Sequence, residues 1–254
     1  MDRREFLKKT YQIGGLSALY SLGLSHDAIA RIVGGGHLNV NPYSNCSQLG
    51  TSEFFWCGDH SSGNTYACKS GGTVQGTLTD GEIVASSSDP GSGDSVSNGN
   101  VLKLDANGET LTWPISSGDI FSSSEYLFEA YVYISAHTSA QYLFLAYYDG
   151  TNFMRVRILS TGALELYHLG GSDTAYVDSG EHVISAESWT YVAWRGKTAD
   201  NAIGVKVGAN DWDVETGDTV TDFATEPSTI QLGGSTIVDT IYVDDLRGDS
   251  TSGI

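Results

Sequence analysis

Positive charge is scarce in this sequence. Its 254 residues hold 13 Lys and Arg against 31 Asp and Glu, a formal net charge of −18. Nucleic acids and anionic membrane surfaces are bound through basic patches, so this balance argues against both as partners. It favours solubility and cation binding. Long apolar runs are missing as well. No stretch reaches the ~20 strongly apolar residues that a membrane-spanning helix needs, so no integral membrane segment is expected. There is no Cys-x-x-Cys-His, which excludes c-type haem. There is no phosphate-cradling loop or dinucleotide fingerprint, so no bound nucleotide is expected. Gly-x-Ser-x-Gly is absent too. Beyond the N-terminal region no segment repeats apolar residues at i, i+3, i+4 and i+7 over three turns, so helices are not the building blocks. No internal repeat is visible.

What is present begins with an address. Arg3-Arg4-Glu5-Phe6-Leu7-Lys8 resembles the twin-arginine export signal, departing from it at Asp2, where Ser or Thr is usual. Residues 10–25 are apolar but diluted by Gly14, Gly15 and Gly23, which suits the apolar region of a signal peptide. Ala28-Ile29-Ala30 supplies the small-x-small cleavage pattern. Residues 1–30 therefore read as a signal peptide. The remainder is expected in the periplasm, outside the cell or on its surface. Cys46, Cys57 and Cys68 then meet an oxidising compartment, where one disulfide and one spare thiol are expected. Three pairings are open. A metal reading of Cys57-Gly58-Asp59-His60 has the wrong spacing for zinc.

The chain after the signal divides by composition. Residues 31–100 are rich in Gly, Ser, Asn and Thr, with one dense apolar run at Phe54-Phe55-Trp56 and a low-complexity loop at 86–100. From Val101 the pattern is β. Tyr142 to Tyr148 and Phe153 to Leu159 flank a turn at Asp149-Gly150 and read as a hairpin. In its second strand Phe153, Arg155 and Arg157 share one face, and Met154, Val156 and Ile158 the other. In the next strand Leu164, Leu166 and His168 share a face. Further strands are predicted at 174–178, 181–184, 189–195, 202–207, 229–233 and 238–247. Many short strands and 31 glycines indicate an all-β, two-sheet antiparallel sandwich, with 31–254 as one domain.

Four segments carry a family resemblance. They are Phe128 to Ile134, Ser188-Trp189-Thr190-Tyr191-Val192-Ala193-Trp194, Ser228 to Gly234, and Thr240-Ile241-Tyr242-Val243-Asp244-Asp245-Leu246-Arg247. In order and spacing they resemble the laminin-G and concanavalin A-like lectin-glucanase jelly rolls. In that pattern the Trp of the second segment, matched by Trp189, fills the core. The resemblance covers 101–248 and implies two packed antiparallel sheets. Residues 31–100 have no clear counterpart and are expected to add one or two strands. The fold alone does not fix function.

Catalytic signatures of the fold do not match. A retaining glucanase places two carboxylates on one strand face, ~5–5.5 Å apart. The nearest candidates, Asp239 with Asp244-Asp245 and Glu165 with His168, have the wrong spacing or faces. The Gln-x-His of alginate lyases is absent. The resemblance also implies calcium, since related exported jelly rolls often tie the closing strand to the start of the domain through the ion. Calcium takes several oxygen ligands. Asp244 or Asp245 would contribute, with Asn100, Asp59 and Asp94 as further candidates.

Sugars stack on exposed aromatics beside polar groups. Tyr147, Tyr148, Tyr167 and Trp212 are the candidates, each also readable as a core or cross-strand aromatic. Arg155 and Arg157, beside Glu165, read either as a basic spot for uronate or sulfate or as a cross-strand ion pair. The expected function is a secreted, non-catalytic domain binding carbohydrate or another cell-surface ligand. A self-assembling structural or adhesive subunit, and a polysaccharide-degrading enzyme without a recognisable motif, are the alternatives.

Overall fold

Alternating side chains decide which strand faces are buried. The computed structural model describes residues 54–56, 65–69, 72–85, 90, 100–115, 125–147, 153–170, 173–197, 202–216 and 227–249. Among these the strands are β1 (Phe54–Trp56), β2 (Tyr66–Lys69), β3 (Gly72–Gln75), β4 (Thr77–Thr79), β5 (Glu82–Ala85) and β6 (Asn100–Leu104). Then come β7 (Thr110–Pro114), β8 (Glu125–Ile134), β9 (Gln141–Tyr147), β10 (Phe153–Ile158), β11 (Ala163–Gly170) and β12 (Asp173–Val183). The series ends with β13 (Thr190–Lys197), β14 (Ala202–Val207), β15 (Asp213–Thr216), β16 (Thr229–Gly233) and β17 (Ile241–Asp249). No helix occurs among the described residues.

The strands make two antiparallel sheets in a jelly-roll sandwich. A ten-stranded sheet runs β15-β14-β13-β8-β17-β1-β2-β3, with β5 and β6 attached through the β6–β17 pair. A seven-stranded sheet runs β12-β11-β10-β9-β16-β7-β4. In β10 the inward residues Met154, Val156 and Ile158 are fully buried, while Phe153, Arg155 and Arg157 are half-buried on the outer face. β8 follows the same period, turning Tyr126, Phe128, Ala130 and Val132 inward. Rings join the sheets. Phe128 and Trp194 stack at 5.8 Å in one sheet, and Phe144 of the other meets them at 4.7 and 4.9 Å. Truncating such a ring to alanine costs about 3–5 kcal/mol. Trp113 of β7 repeats the device against Phe54 and Trp56 of β1, at 5.5 and 5.7 Å.

Three expectations need correction. The core tryptophan of the Ser188–Trp194 segment is Trp194, not Trp189. The two are five residues apart, an odd interval that puts them on opposite faces of a strand. Trp189 packs outside against Tyr133, with ring centroids 5.8 Å apart. The segment before Asn100 supplies β1 to β5, more than the one or two strands expected. Residues 174–178 and 181–184 belong to one strand, β12, rather than two. β17 is also irregular where regular alternation would send Asp244 and Asp245 to opposite faces. Its ladder with β8 shifts between Asp244 and Arg247, and Asp245 has a φ of 51°. Val243 and Leu246 consequently both lie in the core, with the two aspartates in the bulge between them.

Candidate functional site

The outer face of the seven-stranded sheet gathers most of the described candidates for ligand binding: Tyr147, Arg155, Arg157 and Tyr167. Directly opposite residues of paired strands share a face. One row across it reads Thr112, Gln231, Leu145, Arg155, Tyr167 and Tyr176. A second reads Thr229, Tyr147, Phe153 and Leu169. A third reads Tyr142, Arg157, Glu165 and Asp178. The core period of β10 and β11 forces this, because burying Val156 and Leu166 sends their neighbours outward.

The face is an aromatic platform with a cation on it. Tyr147 is 38% exposed and Tyr176 is 44% exposed. Between them Phe153 and Tyr167 stack at 5.7 Å with a 27° interplanar angle. The Arg155 guanidinium lies over the Tyr167 ring, 4.1 Å from its centroid. The Tyr176 hydroxyl donates to Asp178 Oδ2 at 3.0 Å. Burial, then the neighbouring Asp178, push its phenol up to about 12, so it remains a neutral donor. At the far side of the row, Thr112 Oγ1 meets Gln231 Oε1 at 3.5 Å, and Gln231 Nε2 donates to the Gly233 carbonyl at 3.1 Å.

Arg157 behaves differently from Arg155. Its Nε and one terminal nitrogen donate to the two Glu165 oxygens at 2.6 and 2.9 Å. The hydrogen bond to Glu165 holds the guanidinium above its ordinary pKa. The Glu165 side chain is only 5% exposed. Arg157 therefore neutralises a buried carboxylate, which is the cross-strand pair of the two readings considered.

The remaining candidates are dispersed. Trp212 precedes β15 in the ten-stranded sheet and stacks on the Arg195 guanidinium at 4.0 Å. Burial lowers the Arg195 pKa. Trp212 is thus half-buried against its own sheet and is not brought to the tyrosines. Tyr148 lies outside the described residues, as do Cys46, Cys57, Asp59 and Asp94. Cys68 lies in β2 opposite Phe55. Asn100 begins β6, two residues from the last β6–β17 pair, Leu102 with Val243. It therefore stands at the same end of the ladder as Asp244 and Asp245. Asp244 is fully buried, and its Oδ1 accepts the Asp245 N–H at 2.9 Å. Asp245 Oδ2 also lies 3.9 Å from Arg247. Among the described residues no group of three or more His, Cys, Asp or Glu is placed to hold a metal ion.

Two platform residues were not anticipated. Phe153 was legible, because the alternation that exposes Arg155 exposes it too. Tyr176 joins the row only through the β11–β12 register, which carries a shift between Ala163 and Glu165 and has no sequence signal. His168 points the other way. It is buried in the core beside Tyr126, with ring centroids 6.2 Å apart, and burial lowers its pKa to about 3. Asp239 is satisfied locally, accepting from the Thr138 N–H and hydroxyl at 2.7 and 2.6 Å.

Solved structures share this architecture. The botulinum neurotoxin serotype D binding domain superposes with a TM-score of 0.53 at 10% identity, covering 70% of this chain and 44% of that one. A mutant of Trypanosoma rangeli sialidase displaying trans-sialidase activity gives 0.53 at 16% identity, covering 78% and 30%. The likeness is one of fold. The chain spans less than half the length of either protein. No protein-family profile and no curated protein sequence matches it.

Proposed function

We propose that this chain is an exported, non-catalytic binding domain that holds carbohydrate on the outer face of its seven-stranded sheet. The observation that carries the reading is the cluster of half-exposed and exposed rings from two adjacent rows, Tyr147 and Phe153 beside Tyr167 and Tyr176, with hydrogen-bonding groups on Gln231, Thr112 and Asp178. Rings of this kind offer apolar faces to the C–H side of a pyranose, while the polar groups orient its hydroxyls. The fold is used for binding elsewhere, since one similar structure is a neurotoxin's binding domain. A hydrolytic role is less well supported, because Glu165 is closed by Arg157 and Asp239 by Thr138.

The test is a carbohydrate array probed with the wild type, Tyr147→Ala, Tyr176→Ala and the double variant. Each ring should contribute about 1–2 kcal/mol, or roughly five- to thirtyfold in Kd. Equal binding by the wild type and the double variant would dismiss this face as the site.

Export through the twin-arginine-like start, cleavage after Ala30 and one disulfide belong to the same proposal. The disulfide reading is supported by Cys68, which is disulfide-bonded. A structural calcium ion at the β17 bulge is supported by the buried Asp244 carboxylate, with Asn100 at the same end of the sheet. It requires further oxygens from outside the described residues. A melting temperature that chelator leaves unchanged would remove the ion from the account.

A further inference from the structure

Arg155 and Arg157 share one face of β10, yet only one of them is neutralised. Arg157 is closed bidentately on Glu165. Arg247 faces Glu129 at 3.7 Å and Asp245 at 3.9 Å. Arg155 makes no ion pair among the described residues. Its cross-strand neighbours are Leu145 and Tyr167, and its Nε is buried without a hydrogen-bond partner among the described residues. The acids of the neighbouring row are engaged, Glu165 by Arg157 and Asp178 by the Tyr176 hydroxyl and the Gly180 N–H.

A guanidinium drawn onto a ring with an unmet buried N–H has lost part of its hydration without gaining an acceptor. Leu145 and the Tyr167 ring beside it reduce local screening, which strengthens any charge-assisted bond formed there. The planar fork of arginine suits the paired oxygens of a carboxylate or sulfate. We propose that the carbohydrate bound on this face is acidic, and that Arg155 receives its carboxylate or sulfate. This rests on reading the face as a carbohydrate site and names the ligand class. A net charge of −18 repels polyanions at long range, so their retention would have to come from a local contact.

The test uses the purified full-length protein and two matched pairs of polysaccharides. One pair is polygalacturonate and its full methyl ester; the other is dextran sulfate and dextran. Wild type is expected to bind an acidic member more tightly than its neutral partner, and the pair that responds distinguishes carboxylate from sulfate. Arg155→Gln should weaken that binding by about ten- to hundredfold. Arg155→Lys should restore only part of it, because it keeps the charge without the fork. An unchanged melting temperature for both variants shows that they fold. Acidic binding should also weaken in about 1 M salt, where the Debye length is about 3 Å. Equal affinity for acidic and neutral partners, or undiminished acidic binding by Arg155→Gln, overturns the inference and leaves the carbohydrate site standing. Binding to neutral array glycans but to neither acidic polymer has the same effect. A blank array removes the site itself, and the inference with it.

Discussion

Acidification should destabilise this protein through His168, and replacing that residue should remove a defined part of the loss. His168 is 1% exposed, between the sheets and beside Tyr126. Burial lowers its pKa from the ordinary 6.5 to about 3. In that interval the unfolded chain takes up a proton that the folded chain refuses, so stability falls as pH drops below 6.5 and is complete above it. The slope is about 1.4 kcal/mol per pH unit for one such group. At about pH 5 the loss from His168 alone is therefore about 2 kcal/mol. Acid also protonates carboxylates elsewhere in the chain, so the quantity to measure is a difference. Urea unfolding, followed by the fluorescence of buried tryptophans, is run near neutral pH and near pH 5 on the wild type, His168→Gln and His168→Phe. The substitutions change stability at both pH values, but the pH-dependent part should shrink by about 2 kcal/mol in both variants. An identical pH dependence in the wild type and both variants would refute the reasoning, because His168 would then accept its proton in the folded state.

Other consequences follow from single contacts. Arg157→Leu leaves the Glu165 carboxylate buried without its two hydrogen bonds, and should cost about 2–4 kcal/mol in urea unfolding. The double change Arg157→Leu/Glu165→Leu should recover most of that loss; no recovery would mean that packing, not the charge pair, sets the cost. Gly162 has a φ of 83°, and a Cβ there would meet the Ile184 carbonyl oxygen at 2.9 Å, so Gly162→Ala should lower stability by about 1–3 kcal/mol. A neutral substitution would show that the turn relaxes freely. Non-reducing peptide mapping should link Cys68 to the peptide carrying Cys46 or Cys57 and leave one thiol free. Three free thiols would contradict it.

The sequence announces strands wherever apolar alternation runs for several residues. Met154, Val156 and Ile158 set the face of β10, and that one pattern also places Arg155 and Arg157 on the outer face. The hairpin of β9 and β10 follows from two such runs flanking Asp149-Gly150. Where the strand is only three or four residues long, as in β1 to β5, too few positions alternate to establish a period, and in β3 and β4 Gly and Thr dilute it further. Bulges are equally silent. β9 buries both Leu143 and Phe144 because its ladder with β10 slips between Val156 and Arg157, and no local residue type demands it. The same holds for the Asp244–Arg247 shift that places two aspartates together. Trp189 and Trp194 show a different limit, since a family pattern identifies a tryptophan but only its parity within the strand says which one is buried. The platform was half legible for this reason: Tyr147, Tyr167 and Arg155 follow from local alternation, whereas Tyr176 depends on how β12 registers against β11.

The most direct test of the binding face is chemical-shift mapping by nuclear magnetic resonance, with the tightest ligand from the carbohydrate array. The account predicts that amide and aromatic shifts concentrate on β9, β10, β11 and β12 around Tyr147, Phe153, Arg155, Tyr167 and Tyr176. Shifts concentrated instead on the ten-stranded sheet, around Trp212 and Arg195, would contradict it.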